Sequence, residues 1–276
     1  MIAALLFVLG LCFASFANAA VWRTRQQAQS PKQLTAKKNQ LSILSGRSQC
    51  VSCGHTLAPK DLIPILSWVF LNGRCRYCGQ KIPMQYPLVE IIGGLVFVAS
   101  YYFWPAELLG PQLVLFITWL AASVGLLALA VYDLRWMLLP NRILYPTLVV
   151  VFSGRGAYIL FFASDKAHDL WLLTLSLLVA SGIFWLIFEL SRGRLIGFGD
   201  VRLGLVTGIL LATPLKSLLM IFIASLLGTL FVMPALLLKK KRLGAHQPYG
   251  PFLITATFIV ILFGDQVINW YKNLVI

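Results

Sequence analysis

Apolar residues along this chain come in long blocks separated by short polar loops, and most of the blocks are too long for the strands or amphipathic helices of a soluble globule. The blocks lie at 1–22, 84–104, 112–132, 143–163, 169–190, 200–213, 217–238 and 250–270. Most approach the roughly 20 residues that carry an α-helix across a hydrocarbon core. The pattern predicts an all-α polytopic membrane protein with about eight transmembrane helices. The sixth block is cut short before Pro214 and the fourth contains Ser153-Gly154-Arg155-Gly156, so a bend or break is expected in either. One long polar stretch interrupts the series. It divides the chain into a first helix at 1–22, a soluble segment at 23–83 and a helical membrane domain at 84–276.

Composition agrees with this reading: 59% of the residues are hydrophobic and 12% charged. The net charge of +14 would suit nucleic acid, but the cations are distributed over loops beside the spans instead of forming one recognition surface. Segment 21–83, loops 133–142 and 191–202, and the run Lys239-Lys240-Lys241-Arg242 hold 19 of the 23 basic residues. Lys and Arg accumulate on the cytoplasmic side. The expected topology therefore puts both termini outside and these four loops in the cytoplasm, with no nucleic-acid partner. "SFANAA" ends like a signal-peptide cleavage site, but no basic residue precedes the apolar run and the positive segment follows it, which opposes cleavage.

The soluble segment contains "QCVSCGH" and "GRCRYCGQ", two Cys-x-x-Cys pairs with 21 residues between them. Cys50 and Cys53, Cys75 and Cys78 each precede a glycine that lets the backbone turn around the sulfurs, and four thiolates satisfy tetrahedral zinc. Two other readings are weaker. Disulfides are opposed by a reducing cytoplasm, and a redox dithiol needs only one pair. Four sulfurs leave no open position for water, so the zinc is expected to be structural, supplying stability that about 60 residues cannot bury for themselves. Cys12, in the first apolar block, reads as a packing or lipid-facing residue.

Four acids fall within or at the edge of the apolar blocks: Glu90, Asp133, Glu189 and Asp200. A carboxylate near lipid costs several kcal/mol unless paired, neutralised or hydrated. Glu189 has Arg192 three residues on, at ion-pair spacing for a helix. Glu90 is open between a cap, a pair with a loop arginine and a site-lining role. Asp133, in "VYDLRWMLLPN", and Asp200, in "GFGDVRLG", come to the same face in the expected topology. Two facing carboxyls share one proton near neutrality, one acting as base and the other as acid, and such a pair can activate water for peptide hydrolysis. Gly197 and Gly199 are expected to grant unusual backbone freedom and close approach to a substrate strand. Taken alone, Gly-x-Gly-Asp also reads as an ordinary turn or helix cap. His246 has no visible orienting partner and reads as interfacial, and Gly250-Pro251 as the start of the last helix.

Together with "GLCFASFANAAVWR", "LIPILSWVFLNGRCRYCGQKIPMQYPLVE" and "QPYGPFL", these elements make the chain resemble, over nearly its whole length, the bacterial type IV prepilin leader peptidases. These are membrane aspartyl proteases, many of them also N-methyltransferases. The resemblance implies that Asp133 and Asp200 are catalytic, that Cys50, Cys53, Cys75 and Cys78 are the metal ligands, and that the substrates are prepilins or pseudopilins. It implies cleavage of a short basic leader after a glycine, on the cytoplasmic side of the inner membrane, with S-adenosylmethionine as donor where the new N-terminus is methylated and segment 23–83 as the region associated with that methylation. No glycine-rich nucleotide motif assigns the donor site, and the oligomeric state is not readable. Val51 and Arg202 depart from proline and lysine common in the family, and loop 191–196 lacks the acids often seen there. Set against this reading are a proton-coupled transporter using the same aspartates, and a methyltransferase or scaffold without protease activity.

Overall fold

A computed structural model describes residues 1–29, 42–43, 46–237 and 247–275. The basic run 239–242 and His246 lie outside the described residues. The described chain is helical: α1 (Ile2–Gln29), the short α2 (Leu66–Phe70), α3 (Gln85–Tyr102), α4 (Pro111–Trp136), α5 (Asn141–Phe161), α6 (Lys166–Leu177), α7 (Ile183–Ser191), α8 (Phe198–Leu211), α9 (Pro214–Leu237) and α10 (Gly250–Val275). A π-helical turn, Leu178–Gly182, joins α6 to α7 without a break. Among the described residues six helices are long and apolar enough to cross a membrane: α1, α4, α5, α6 with α7, α9 and α10. Adding α3 and the shorter α8 gives eight helical rods among the described residues, one for each apolar block. The chain divides into two compact units, Met1–Tyr102 and Phe103–Ile276.

In the first unit α1 and α3 run antiparallel, with Gly10 against Gly93 and Gly94, and Asn18 against Tyr86. A Cβ on Gly10 would come within 2.6 Å of the Gly93 carbonyl oxygen, so only glycine permits this crossing. Between lipid-exposed helices such close approach, not hydrophobic burial, drives association. Asn18 donates to the Tyr86 carbonyl at 3.2 Å and accepts from Gln85 at 3.3 Å, which fixes the register. α1 outlasts its apolar block because Arg23 to Gln29, lacking proline and glycine, continue the helix.

The insert between α1 and α3 is held by polar bonds. Asp61 accepts from Arg76 at 2.8 Å and from the Tyr77 hydroxyl at 3.0 Å. Burial alone would raise its pKa, but these two bonds and the Arg76 charge outweigh it and hold the carboxyl below the ordinary range. Ile65, a β-branched residue at φ +60°, precedes α2 in a backbone region that costs about 1–3 kcal/mol. Its N–H is taken by Glu90 of α3, Oε2 to N 2.8 Å. Of the readings left open for Glu90, the pair with a loop arginine is not seen; its carboxylate takes the N–H at the start of α2 and also lines a cavity.

In the second unit α4 and α5 are antiparallel. Gly125 faces Thr147 and Gly154 faces Thr118 so closely that a methyl at either glycine would overlap the threonine. The expected disruption at Ser153–Gly156 does not occur; α5 is continuous, and Gly154 serves close packing. Met137, in the left-handed conformation at φ 52°, ends α4 by donating to the Asp133 carbonyl. α8 has 14 residues, ~21 Å of helix, which is short of a bilayer core. Arg155 of α5 donates to its last carbonyls, Ile209 at 3.4 Å and Leu210 at 3.1 Å. The π turn lies against the same helix. Gly204 meets the Ala180 carbonyl, and Ser181 donates to the Val201 carbonyl at 2.9 Å.

Two pairings differ from the expectation. Glu189 and Arg192 make no ion pair, because Arg192 adopts φ 49° at the C-cap, which turns its side chain off the helical face that the three-residue spacing presumes. Two further acids lie among the spans: Asp169, in the first turn of α6, and Asp265 of α10, which pairs with Lys216 of α9 at 2.8 Å.

Candidate active site and metal centre

Chain direction alone gathers one set of elements at one end of the second unit: the C-termini of α4 and α7 and the N-termini of α5, α8 and α10. Asp133 sits in the last turn of α4, 5% exposed. Asp200 sits in the first turn of α8, where its N–H closes on the Gly197 carbonyl at 3.0 Å. The two carboxyls are near enough for the charge of Asp133 to act on Asp200. Leu139, from the loop after α4, lies against both Gly199 and Gly250.

Asp133 has a partner that sequence reasoning missed. Its Oδ2 accepts the N–H of Gly250, 3.1 Å, at the very start of α10. An anion there also meets the positive end of the helix dipole. A Cβ on Gly250 would stand 2.7 Å from that same oxygen, so the contact requires glycine. Tyr249, the preceding residue, is close enough to Asp200 to feel its charge and stacks edge-on with Phe184, centroids 5.8 Å apart. With Ser225, Met233 and Phe252 it lines a groove of ≈450 Å³ between α9 and α10. The segment "QPYGPFL" was visible, but a backbone N–H has no sequence signature. Gly250 does begin the last helix, as expected.

Gly197 and Gly199 flank the site for reasons other than backbone freedom, because neither has a positive φ. Gly197 is the N-cap of α8 at φ −77°, and a methyl there would lie 3.6 Å from the Asp200 carboxylate, an ordinary contact. Gly199 is packed: its Cβ would stand 3.2 Å from Leu139. Arg202 bonds the Asn141 side chain and lies over the Phe198 ring at 4.6 Å, linking the starts of α5 and α8.

In the first unit the four predicted cysteines converge, with all four sulfurs within 4.8 Å of one another. Each pair forms the same turn. Gly54 N–H bonds Cys50 O and Gly79 N–H bonds Cys75 O, both at 2.9 Å, with the glycines at φ +71° and +70°. The Cys50 and Cys78 sulfurs are 3.9 Å apart; a tetrahedral Zn–S distance of ~2.3 Å requires about 3.8 Å. The Gln80 N–H favours the Cys78 thiolate, but desolvation and the three neighbouring sulfurs prevail and push that thiol up to about 12. A divalent cation removes this penalty. The cluster can therefore hold a metal with all positions taken by sulfur. Cys12 is exposed on α1, apart from the cluster.

Comparison with known proteins adds independent findings. Residues 8–104 match the bacterial peptidase A24 N-terminal domain, and residues 120–233 match the type IV leader peptidase family. A prepilin leader peptidase/N-methyltransferase of Pseudomonas aeruginosa is 30% identical over 96% of this chain and 91% of its own length. One of the same name from Bacillus subtilis is 30% identical over 84% and 87% respectively. A type 4 prepilin-like proteins leader peptide-processing enzyme of Escherichia coli is 28% identical over 88% and 87%. No solved structure matches the chain.

Proposed function

Because the chain belongs to the type IV leader peptidase family, we propose that it is a membrane aspartyl endopeptidase. It removes the short basic leader of prepilins or pseudopilins after a glycine, on the cytoplasmic side of the inner membrane, and methylates the new N-terminal amine. The observation that carries the peptidase reading is that Asp133 and Asp200, from separate helices, come near enough at one end of the second unit for the charge of one to act on the other. The Gly250 N–H favours ionised Asp133, which takes a proton from the attacking water. Asp200 supplies the proton that leaves with the amine. The substrate's own apolar helix, lying beside the spans, presents the scissile bond at the membrane edge, so membrane embedding does the positioning. Gly197, whose Cβ position meets nothing closer than the Asp200 carboxylate, is the part of the loop left open to that extended strand.

Four cysteine thiolates in tetrahedral proximity fit a structural zinc ion, and none of the peptidase steps passes through it. The methyltransferase half rests on the names its relatives carry. S-adenosylmethionine would supply an electrophilic methyl group on a sulfonium sulfur. Attraction of the basic leader falls to carboxylates outside loop 191–196, which has none.

The test is cleavage of a prepilin by purified protein in detergent, with Asp133→Asn and Asp200→Asn as separate variants. Each should abolish cleavage while leaving the protein inserted and its thermal transition in place. Processing retained by either variant refutes the aspartyl assignment. Labelled S-adenosylmethionine in the same incubation tests methylation separately.

A further inference from the structure

The cysteine-bearing insert of the first unit carries apolar side chains on its outside. Leu66, Val69 and Phe70 of α2 stand at positions i, i+3 and i+4, so they share one face of the helix. All three are exposed, Phe70 at 79%, and so is Ile63 just before them. The opposite side of α2 is packed: the Trp68 indole N–H donates to the Ile82 carbonyl at 3.2 Å, and its ring lies against Gly73. A contiguous apolar patch of this kind marks a surface that meets a partner.

The bond that starts α2 gives its height on the helix pair. The Ile65 N–H meets Glu90, five residues into α3, which is ~7.5 Å along that helix. Ser15 of α1 also hydrogen-bonds Glu90, and it lies seven residues before the end of the first apolar block, ~10 Å. α1 is long and apolar enough to span a membrane. Both measures put the start of α2 below the ends of the apolar helix pair, at the depth of about 5–10 Å where interfacial helices lie. Outward side chains at that level meet lipid, and α3 presents its own exposed stripe there, Leu88, Ile91, Ile92 and Leu95. The backbone suits such a setting, in which polar groups must be satisfied within the protein. Pro64 has no N–H, Glu90 takes that of Ile65, and Ser67, Val69 and Leu71 donate to the carbonyls of Ile63, Ile65 and Ser67 at 3.0–3.1 Å. Residues 46–84 carry Arg47, Lys60, Arg74, Arg76 and Lys81 against Asp61 alone, a balance that suits an anionic headgroup layer.

We infer that the face formed by Ile63, Leu66, Val69 and Phe70 is a membrane anchor, seated among the acyl chains of the leaflet that α1 and α3 enter from the insert. The cysteine centre holds the inner fold of the insert, and the apolar face holds its height on the bilayer. This anchoring needs only the membrane helices and is independent of the peptidase chemistry.

The test places p-benzoylphenylalanine at single positions of the full-length, metal-loaded protein in phospholipid nanodiscs, with adducts read by mass spectrometry after irradiation. Phe70→p-benzoylphenylalanine should give phospholipid adducts at a yield within roughly threefold of the same replacement at Leu95 of α3, and at least about tenfold above that at Ser52, in the first cysteine turn. A yield at Phe70 no higher than at Ser52, or capture of a second copy of the chain in place of lipid, overturns the anchor. A second measurement uses Val69→Glu combined with Phe70→Glu, which points outward and should leave the metal bound. Amide hydrogen exchange across 63–71 in nanodiscs should rise roughly tenfold or more, because lipid no longer shields the segment. Exchange unchanged from wild type in the metal-bound double variant describes a face that already met water, and overturns the anchor as well.

Discussion

Replacing Gly250 with alanine perturbs the candidate active site through a single methyl group. That methyl would stand 2.7 Å from Asp133 Oδ2, about 0.7 Å inside ordinary contact. The atom in its way belongs to a short side chain whose other constraint is the 3.1 Å bond from the Gly250 N–H itself. Carboxylate and methyl must separate, and the N–H···O bond is lost when they do. Hydrogen bonds to charged groups are worth about 1.5–3 kcal/mol, so kcat/KM should fall roughly 10- to 150-fold. Gly199→Ala meets only Leu139 at 3.2 Å, which an aliphatic side chain can relieve by a few tenths of an ångström, and Gly197→Ala makes an ordinary 3.6 Å contact. The expected order of damage is Gly250, then Gly199, then Gly197. A steady-state cleavage series on a prepilin substrate, with thermal transitions measured alongside, reads this order. Wild-type kcat/KM in a folded Gly250→Ala protein, or greater loss in Gly197→Ala, would refute the reasoning.

Other outcomes follow from the same geometry. Arg155→Met strips donors from the Ile209 and Leu210 carbonyls and should cost about 1–3 kcal/mol for each carbonyl left unpaired. A lowered thermal transition in detergent measures it, with Arg155→Lys falling between. Chelation of the purified protein should release one zinc per chain and unfold the insert around the four cysteines, seen as a change in Trp68 fluorescence. An unchanged spectrum after verified metal loss would contradict a structural metal. Cys78→Ser should weaken metal retention and leave α4 to α10 folded, as limited proteolysis would report.

Much of the architecture was legible because lipid imposes a simple rule: a span is a long apolar block, and all eight blocks became helices. The cysteine centre was legible for a similar reason, since two Cys-x-x-Cys-Gly turns carry their geometry within a few residues. The aspartates came together because helix direction alternates, so that residues 67 positions apart end at one face. What failed was local inference about side chains. The Glu189–Arg192 spacing assumed a helix that continues, and Arg192 ends it. The glycines before Asp200 suggested unusual backbone angles, whereas Gly199 answers to Leu139 from another loop. Gly250 on Asp133, Glu90 on Ile65 and Arg155 on α8 link residues 25 to 117 positions apart through backbone atoms. No side-chain pattern encodes such partners.

The shortness of α8 has a consequence for the lipid environment. Helices that cross the whole hydrocarbon layer tilt or shift when the bilayer thickens, but α8 has no far interface to track. The depth of Asp200 is set instead by protein contacts at both ends: Gly197 and Leu139 at one, the guanidinium of α5 at the other. Proteolysis in nanodiscs should accordingly vary little with acyl-chain length, so that one enzyme can serve a cell whose membrane composition drifts with growth conditions.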